Sequence, residues 1–431
     1  MVISYFWATL LQPLLERPVF PDFKVFFAGA VALRQGADPY LPFLSRGGRY
    51  DFQPLYNYPP ITAWLIEPLV AQGPSTAALL VLLVLQLCVA AFVFLVYRAL
   101  RPLPRQEVAL GLLLALGFGP VYANLWNDQV NLVLLGLSGA MLLGYVRGDA
   151  WWGGAAYGAA VAFKPLQPVQ GLLLAWGRRR WMLAAAVVVG LALLLLPGPP
   201  LAWEFVTRVL TGVAGGTGFR ENATPAGFLE RLFHPAAFYD ASAPGGPLER
   251  AVYLAIALGV IGLTWWRLGS RPRVDGLGRA AELATATAAS PLVLTVAHTF
   301  HLVLLLLPIL VLLRLGIARS DGRSLAAAAG GWLLLGPVHF AMLTAMAGGF
   351  SNDLVLRAWN ECQLLGVVVL WLGCLQALRE RSEEPALQKQ AQDDHPVRDR
   401  RDPRVGNQEG ERNREGAAKA TPPDQLPPAP G

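Results

Sequence analysis

Apolar stretches broken by short polar turns fill the chain from its first residue to about residue 378, and several approach 20 residues without a charge. A helix rises about 1.5 Å per residue, so a run of that length crosses the hydrocarbon of a bilayer. The pattern predicts spans at 1–15, 76–97, 107–123, 130–146, 181–197, 251–266, 280–297, 300–313, 324–346 and 360–378. A shorter hairpin interrupted by Gly and Pro covers 150–176, giving ten to twelve crossings in an all-α polytopic membrane protein. Met1 to Leu15 lacks the basic start and small-residue cleavage site of a signal peptide and is read as the first span. After it, Asp22 precedes apolar positions at Val25, Phe26, Gly29, Val31 and Leu33, which predict a short helix on the membrane surface.

The apolar pattern stops at residue 379. Beyond it lie ten basic and eleven acidic residues among prolines and polar side chains, the composition of a disordered tail. The chain therefore divides into a membrane domain, 1–378, and a tail, 379–431. The net charge of +6 belongs to the membrane part. It follows from arginine clusters at Arg98 to Arg105, Arg178 to Arg180, Arg267 to Arg273 and Arg314 to Arg323, which mark cytoplasmic loops and place the tail on that side. Such clusters fit membrane lipids and give no reason to expect nucleic acid. The loops 16–58, 198–250 and 347–359 then face outward. The excess of Arg over Lys, with much Ala and Gly, suggests a GC-rich bacterial genome and hence a bacterial plasma membrane. Cys88, Cys362 and Cys374 all fall in apolar stretches, where they read as small buried hydrophobes.

Candidate chemistry lies in the few polar groups at membrane depth or in the outward loops. Lys164 is one of two lysines in the first 380 residues and has no carboxylate near it in sequence. A lysine inside an apolar hairpin faces a wet cavity and an anionic partner, for which a phosphate or a distant Glu both suit. Pro165 and Pro168 break the helix there, which is tolerated where backbone lines a cavity. Asp22 is either a helix N-cap or a general base at the lipid–water boundary. The turn Asn124-Leu125-Trp126-Asn127-Asp128-Gln129-Val130-Asn131 offers Asn127, Gln129 and Asn131 as amides for hydroxyls and phosphate oxygens. Tyr58 and its neighbouring tyrosines suit either interfacial anchoring or stacking on sugar. Arg220, beside Gly215 to Gly218, can meet an anion, and Asn222-Ala223-Thr224 matches a glycosylation sequon. His298 and His301 follow Ser290-Pro291; no acid or cysteine at supporting spacing makes them a metal site, and hydrogen bonding to phosphate is preferred.

The order of these motifs resembles a known family. An outward Asp after the first span, Gly36-Ala37-Asp38-Pro39-Tyr40, Tyr56-Asn57-Tyr58-Pro59-Pro60, Gln129-Val130-Asn131, Lys164-Pro165, and Ser290-Pro291 followed by histidine are similar to the polyprenyl-phosphate-mannose-dependent α-1,2-mannosyltransferases, glycosyltransferase family 87 of the GT-C class. The resemblance covers about residues 1–380. Where the family commonly has Gly-Gln, this chain has Asp128-Gln129, and its two histidines are separated. The resemblance implies a GT-C-like helix bundle and inverting transfer of a hexose from a polyprenyl-phosphate-linked donor to a glycolipid or glycan hydroxyl on the outer face. Asp22 falls at the catalytic base, and Tyr58, Gln129, Asn131, Lys164 and His301 fall on cavity positions. The leaving group would be a lipid monophosphate, so neither a metal nor a cofactor is expected, and the sequence has no Asp-x-Asp. A transporter or flippase of lipid-linked glycans, or a non-enzymatic partner in envelope assembly, are the competing readings.

Overall fold

The computed structural model describes residues 22–393 apart from 49–54, 149, 178, 239–245, 270–272, 274, 340 and 342–352. The span expected over 1–15 lies outside that set, as does the tail from residue 394. The described residues form helices and no strands. In chain order they are α1 (Phe23–Arg34), α2 (Leu41–Ser45), α3 (Pro60–Ile66), α4 (Pro74–Ala99), α5 (Arg105–Leu116), α6 (Gly119–Asn127), α7 (Asn131–Val146), α8 (Trp151–Phe163), α9 (Pro168–Trp176) and α10 (Arg180–Leu195). Then follow α11 (Pro199–Glu204), α12 (Leu210–Val213), α13 (Pro225–Phe233), α14 (Pro247–Leu268), α15 (Gly276–Ala289), α16 (Leu306–Arg319), α17 (Gly322–Leu335), α18 (Asp353–Asn360) and α19 (Cys362–Asp393).

Four stretches are long and apolar enough to cross a membrane: Pro74–Ala99, Pro247–Leu268, Thr299–Arg319 and Val355–Leu378. Two bent pairs bring the number to six, α5 with α6 at 49° and α10 with Pro199–Val213 at 110°. The span expected over 107–123 is the first of these pairs, broken between Leu116 and Gly119. The one expected over 280–297 ends as a helix at Ala289, because Pro291 cannot donate to the next turn. The surface helix expected after Asp22 is α1. The last helix runs to Asp393, past the boundary at 378, and the first compact unit of the chain ends at Glu383.

The bundle centres on α7, which packs against α4 on one side and α8 on the other, with α8 packed in turn on α10. Lipid-embedded helices gain little from burying apolar surface against one another, so close approach of small residues carries the association. A Cβ on Gly154 would run into the Met182 carbonyl oxygen, and one on Gly158 into that of Ala186. These two glycines set the α8–α10 distance, and so fix where α8 delivers the residue that follows it, Lys164.

The two ends of the bundle differ in charge. At one end Arg279 donates to the Val146 carbonyl, Arg273 to that of Leu378 and Arg319 to that of Ala377, while Tyr145 donates to a buried Glu282. This is where the arginine clusters gather. The other end of α7, about 24 Å away for its 16 residues, begins at Asn131 beside Gln129.

Candidate active site

The loop after α2 builds the first wall. Tyr56 donates to the Pro59 carbonyl at 2.7 Å and accepts from the Ala63 amide at 3.0 Å, and Tyr40 donates to the Tyr58 carbonyl at 2.9 Å. The Tyr56 ring lies so close to α1 that a Cβ on Gly29 would stand 2.5 Å from it. Tyr40 and Tyr56 are thus buried pins of this loop, neither interfacial anchors nor exposed stacking faces. What they position is Tyr58, whose ring meets Phe26 edge-on at 4.7 Å between centroids.

Asp22 stands at the N-cap position of α1, but its side chain caps nothing. One carboxylate oxygen instead accepts from Gln129 Nε2 at 2.5 Å, and the same nitrogen lies 3.3 Å from the Tyr58 hydroxyl. With both amide hydrogens directed to these partners, Gln129 Oε1 is buried without a partner among the described residues. Burial raises the Asp22 carboxyl above its ordinary range, opposed by the Gln129 hydrogen bond and by the charge of Lys164. Those are the conditions of a carboxylate that takes up a proton more readily than an exposed one.

Gln129 reaches Asp22 because the chain turns sharply before it. Asp128 adopts the left-handed conformation, φ 54°, that ends α6. Glycine is the residue that takes such a position without strain, and Asp is among the few others that tolerate it. Both Asp128 carboxylate oxygens are buried without a hydrogen-bond partner among the described residues. Asn131 donates to Asn124 Oδ1 at 2.9 Å, and Asn124 in turn donates to the Phe300 carbonyl at 2.7 Å. Asn127 turns back on its own helix, donating to the Ala123 carbonyl at 2.8 Å, and does not join the cluster.

Lys164 sits in the break between α8 and α9, in extended backbone with φ −168° and ψ 120°. The exposed backbone of the break is satisfied internally, as membrane depth requires. Tyr157 donates to the Gln167 carbonyl at 3.0 Å, and the Gln167 side chain to Ser138 at 2.8 Å. The ammonium has no hydrogen bond or ion pair among the described residues; it lies 4.6 Å from the centroid of the Tyr58 ring and 5.5 Å from that of Phe300. Two aromatic faces stabilise a cation while leaving its hydrogens available.

Tyr58, Lys164, His298, Phe300 and His301 line one cavity of about 810 Å³, counting its open mouth. His301 Nδ1 accepts from the His298 amide at 3.0 Å. A ring nitrogen that accepts carries no proton, so the imidazole hydrogen is on Nε2, which has no partner among the described residues. Arg220 does not line this cavity; its guanidinium lies 5.1 Å from the Phe219 ring centroid. The neighbouring Glu221 carboxyl is raised, first by burial, with Arg220 opposing and the Asp22 charge adding. A second cavity of about 930 Å³, lined by apolar side chains of α8 and α10, shares Pro59, Pro165, Phe205 and Leu210 with the first.

The structure therefore brings together Asp22, Tyr58, Gln129, Lys164, His298 and His301, with Asn131 behind them. Phe300, Asn124 and Glu221 were not among the expected site residues. The sign of Glu221 and the amide of Asn124 are visible in the sequence, but nothing in their spacing marks them as neighbours of Asp22 or Phe300. Among the described residues no group of three or more His, Cys, Asp or Glu is placed to hold a metal ion.

A family model described as glycosyltransferase family 87 matches residues 56–295, more than half of the chain. That interval contains Tyr58, Gln129, Asn131 and Lys164, whereas Asp22 and both histidines lie outside it. Neither a curated protein nor a solved structure gives a match.

Proposed function

The chain belongs to glycosyltransferase family 87 and is a multi-pass membrane glycosyltransferase, and we propose that it moves a hexose, mannose before glucose, from a polyprenyl phosphate to a glycolipid or glycan hydroxyl at the outer face of a bacterial plasma membrane. The observation that carries this reading is the meeting of opposite charges around Tyr58. The Asp22 carboxylate is tied through Gln129 to the Tyr58 hydroxyl, and the Lys164 ammonium, without an ion-pair partner among the described residues, lies 4.6 Å from the centroid of the same ring.

The chemistry is one displacement. Asp22 takes the proton of the acceptor hydroxyl as its oxygen bonds to the anomeric carbon, and the bond from that carbon to the phosphate oxygen breaks on the opposite face. The sugar is inverted and a polyprenyl monophosphate departs. Lys164 and His301 Nε2–H are fixed donors for the charge that develops on that phosphate. Gln129 holds the Asp22 carboxylate in place for this step. The apolar cavity beside Pro165 has the chemistry to take an isoprenoid chain, being lined by Val161, Leu183, Leu191 and Leu194. A transporter would use the break at Lys164 equally well but leaves the Asp22–Gln129 pair without a task.

The test is sugar transfer from radiolabelled polyprenyl-phosphate-mannose to crude bacterial lipid, by membranes carrying the wild type or Asp22→Asn. Labelled glycolipid with the wild type, reduced about 10²- to 10⁴-fold in the variant, is the expected result. Correctly inserted wild type that transfers neither mannose nor glucose overturns it.

A further inference from the structure

We propose that Asn222 is a positioning residue, whose side-chain amide sets where His301 presents Nε2–H to the donor phosphate; this rests on the donor reading given above. His301 lies in the 3-10 helix Thr299–Leu305, which follows a segment with little structure of its own. Between Leu292 and Thr299 the chain is not helical, and its backbone groups must find partners elsewhere. Asn222 supplies them. Its Nδ2 donates to the Thr217 carbonyl at 2.7 Å and the Thr295 carbonyl at 2.9 Å. Its Oδ1 accepts from the Ala297 amide at 2.9 Å and from the Thr224 hydroxyl at 3.1 Å.

Two donors and two acceptor sites are the whole capacity of a carboxamide, so no other side chain of that size replaces it. The backbones join at the same place: Asn222 and His298 form an antiparallel bridge, and the Ala223 amide donates to the Ala297 carbonyl at 2.8 Å. One residue further, the His298 amide donates to His301 Nδ1 and fixes that ring. A shift of the 295–298 segment therefore moves the imidazole donor with it.

Asn222 is itself held from behind. Arg231 donates to the carbonyls of Asn222 at 2.9 Å, Phe219 at 3.2 Å and Gly218 at 3.3 Å, and pairs with both carboxylate oxygens of Glu361 at 2.8 and 2.9 Å. A Cβ on Gly227 would stand 2.7 Å from Asn222 Nδ2, so that glycine keeps room for the amide. Asn222 is fully buried, which also removes it as a glycosylation acceptor in the folded chain.

The experiment measures binding of undecaprenyl phosphate, without a sugar, to the purified full-length protein as wild type, Asn222→Ala, His301→Ala and the double variant. Each single change is expected to weaken binding about 10-fold or more. The double variant is expected to bind within about twofold of His301→Ala, because both changes remove the same donor. Losses that multiply in the double variant, or unchanged binding in Asn222→Ala, overturn the proposal while leaving the donor reading intact. Wild type that binds no undecaprenyl phosphate overturns both. If Asn222→Ala does not fold, Gly227→Ala crowds the same amide without deleting it, and its combination with His301→Ala is read in the same way.

Discussion

Gln129 donates to Asp22 across 107 positions of sequence, at 2.5 Å. A neutral amide holding a carboxylate fixes its direction without neutralising it, which an arginine or lysine in the same place would do. Gln129→Ala is expected to lower turnover about 10- to 100-fold, the effect of losing one hydrogen bond to a charged group, with donor binding nearly unchanged. Steady-state transfer rates set against polyprenyl phosphate binding check it. Equal loss in both would make Gln129 a structural residue of the cavity.

The pH dependence follows from the sign of the shift on Asp22. Burial raises its carboxyl, and a base must be unprotonated to act, so kcat/KM falls as pH drops through that raised value. Lys164 opposes the rise. Lys164→Met is therefore expected to move the acid limb to higher pH as well as to weaken the donor, whereas Lys164→Arg keeps the limb and restores donor binding only in part. A limb in Lys164→Met at the wild-type position would separate the two charges.

Glu230 offers a test outside the proposed chemistry. Burial raises its carboxyl from the ordinary 4.5 to about 7; His234 and Arg231 oppose this and Glu249 adds to it. The folded state then holds a proton that the unfolded chain has lost across that window, so stability declines as pH rises from 4.5 to about 7. The thermal midpoint of the wild type is expected to be a few degrees lower at about pH 8 than at about pH 5, and Glu230→Gln is expected to flatten that slope.

Gly154 tests the frame. A Val there meets the Met182 carbonyl and forces α8 from α10. The expected cost is about 3 kcal/mol or more, seen as loss of folded protein in detergent. A folded, active Gly154→Val would show that the seam has slack that the close backbone approach does not suggest.

The sequence carried the elements of this site better than their meetings. Asp22 stood out because it follows a proline and opens an amphipathic run, and Lys164 because a charge among apolar residues has few explanations. Local pattern also gave the helix after Asp22 and the broken hairpin. It overstated the continuous spans, since hydropathy does not register the bend between Leu116 and Gly119 or the end of α15 before Pro291. It read Asn222 as part of a sequon, because four hydrogen bonds to residues up to 75 positions away leave no trace in a tripeptide. Nor does local spacing show that Glu361 pairs with Arg231, 130 residues earlier.

The order in which the site residues occur along the chain has a consequence for biogenesis. Asp22 precedes the first described helix, Lys164 lies in the middle and His301 follows the fifteenth, so a nascent chain has no opposing charge for its carboxylate until the central hairpin is laid down. It has no fixed imidazole until the later helices arrive. Under the roles proposed for these residues, a half-made enzyme would not consume its donor, and a truncated product, however well its early helices insert, would be inert rather than promiscuous.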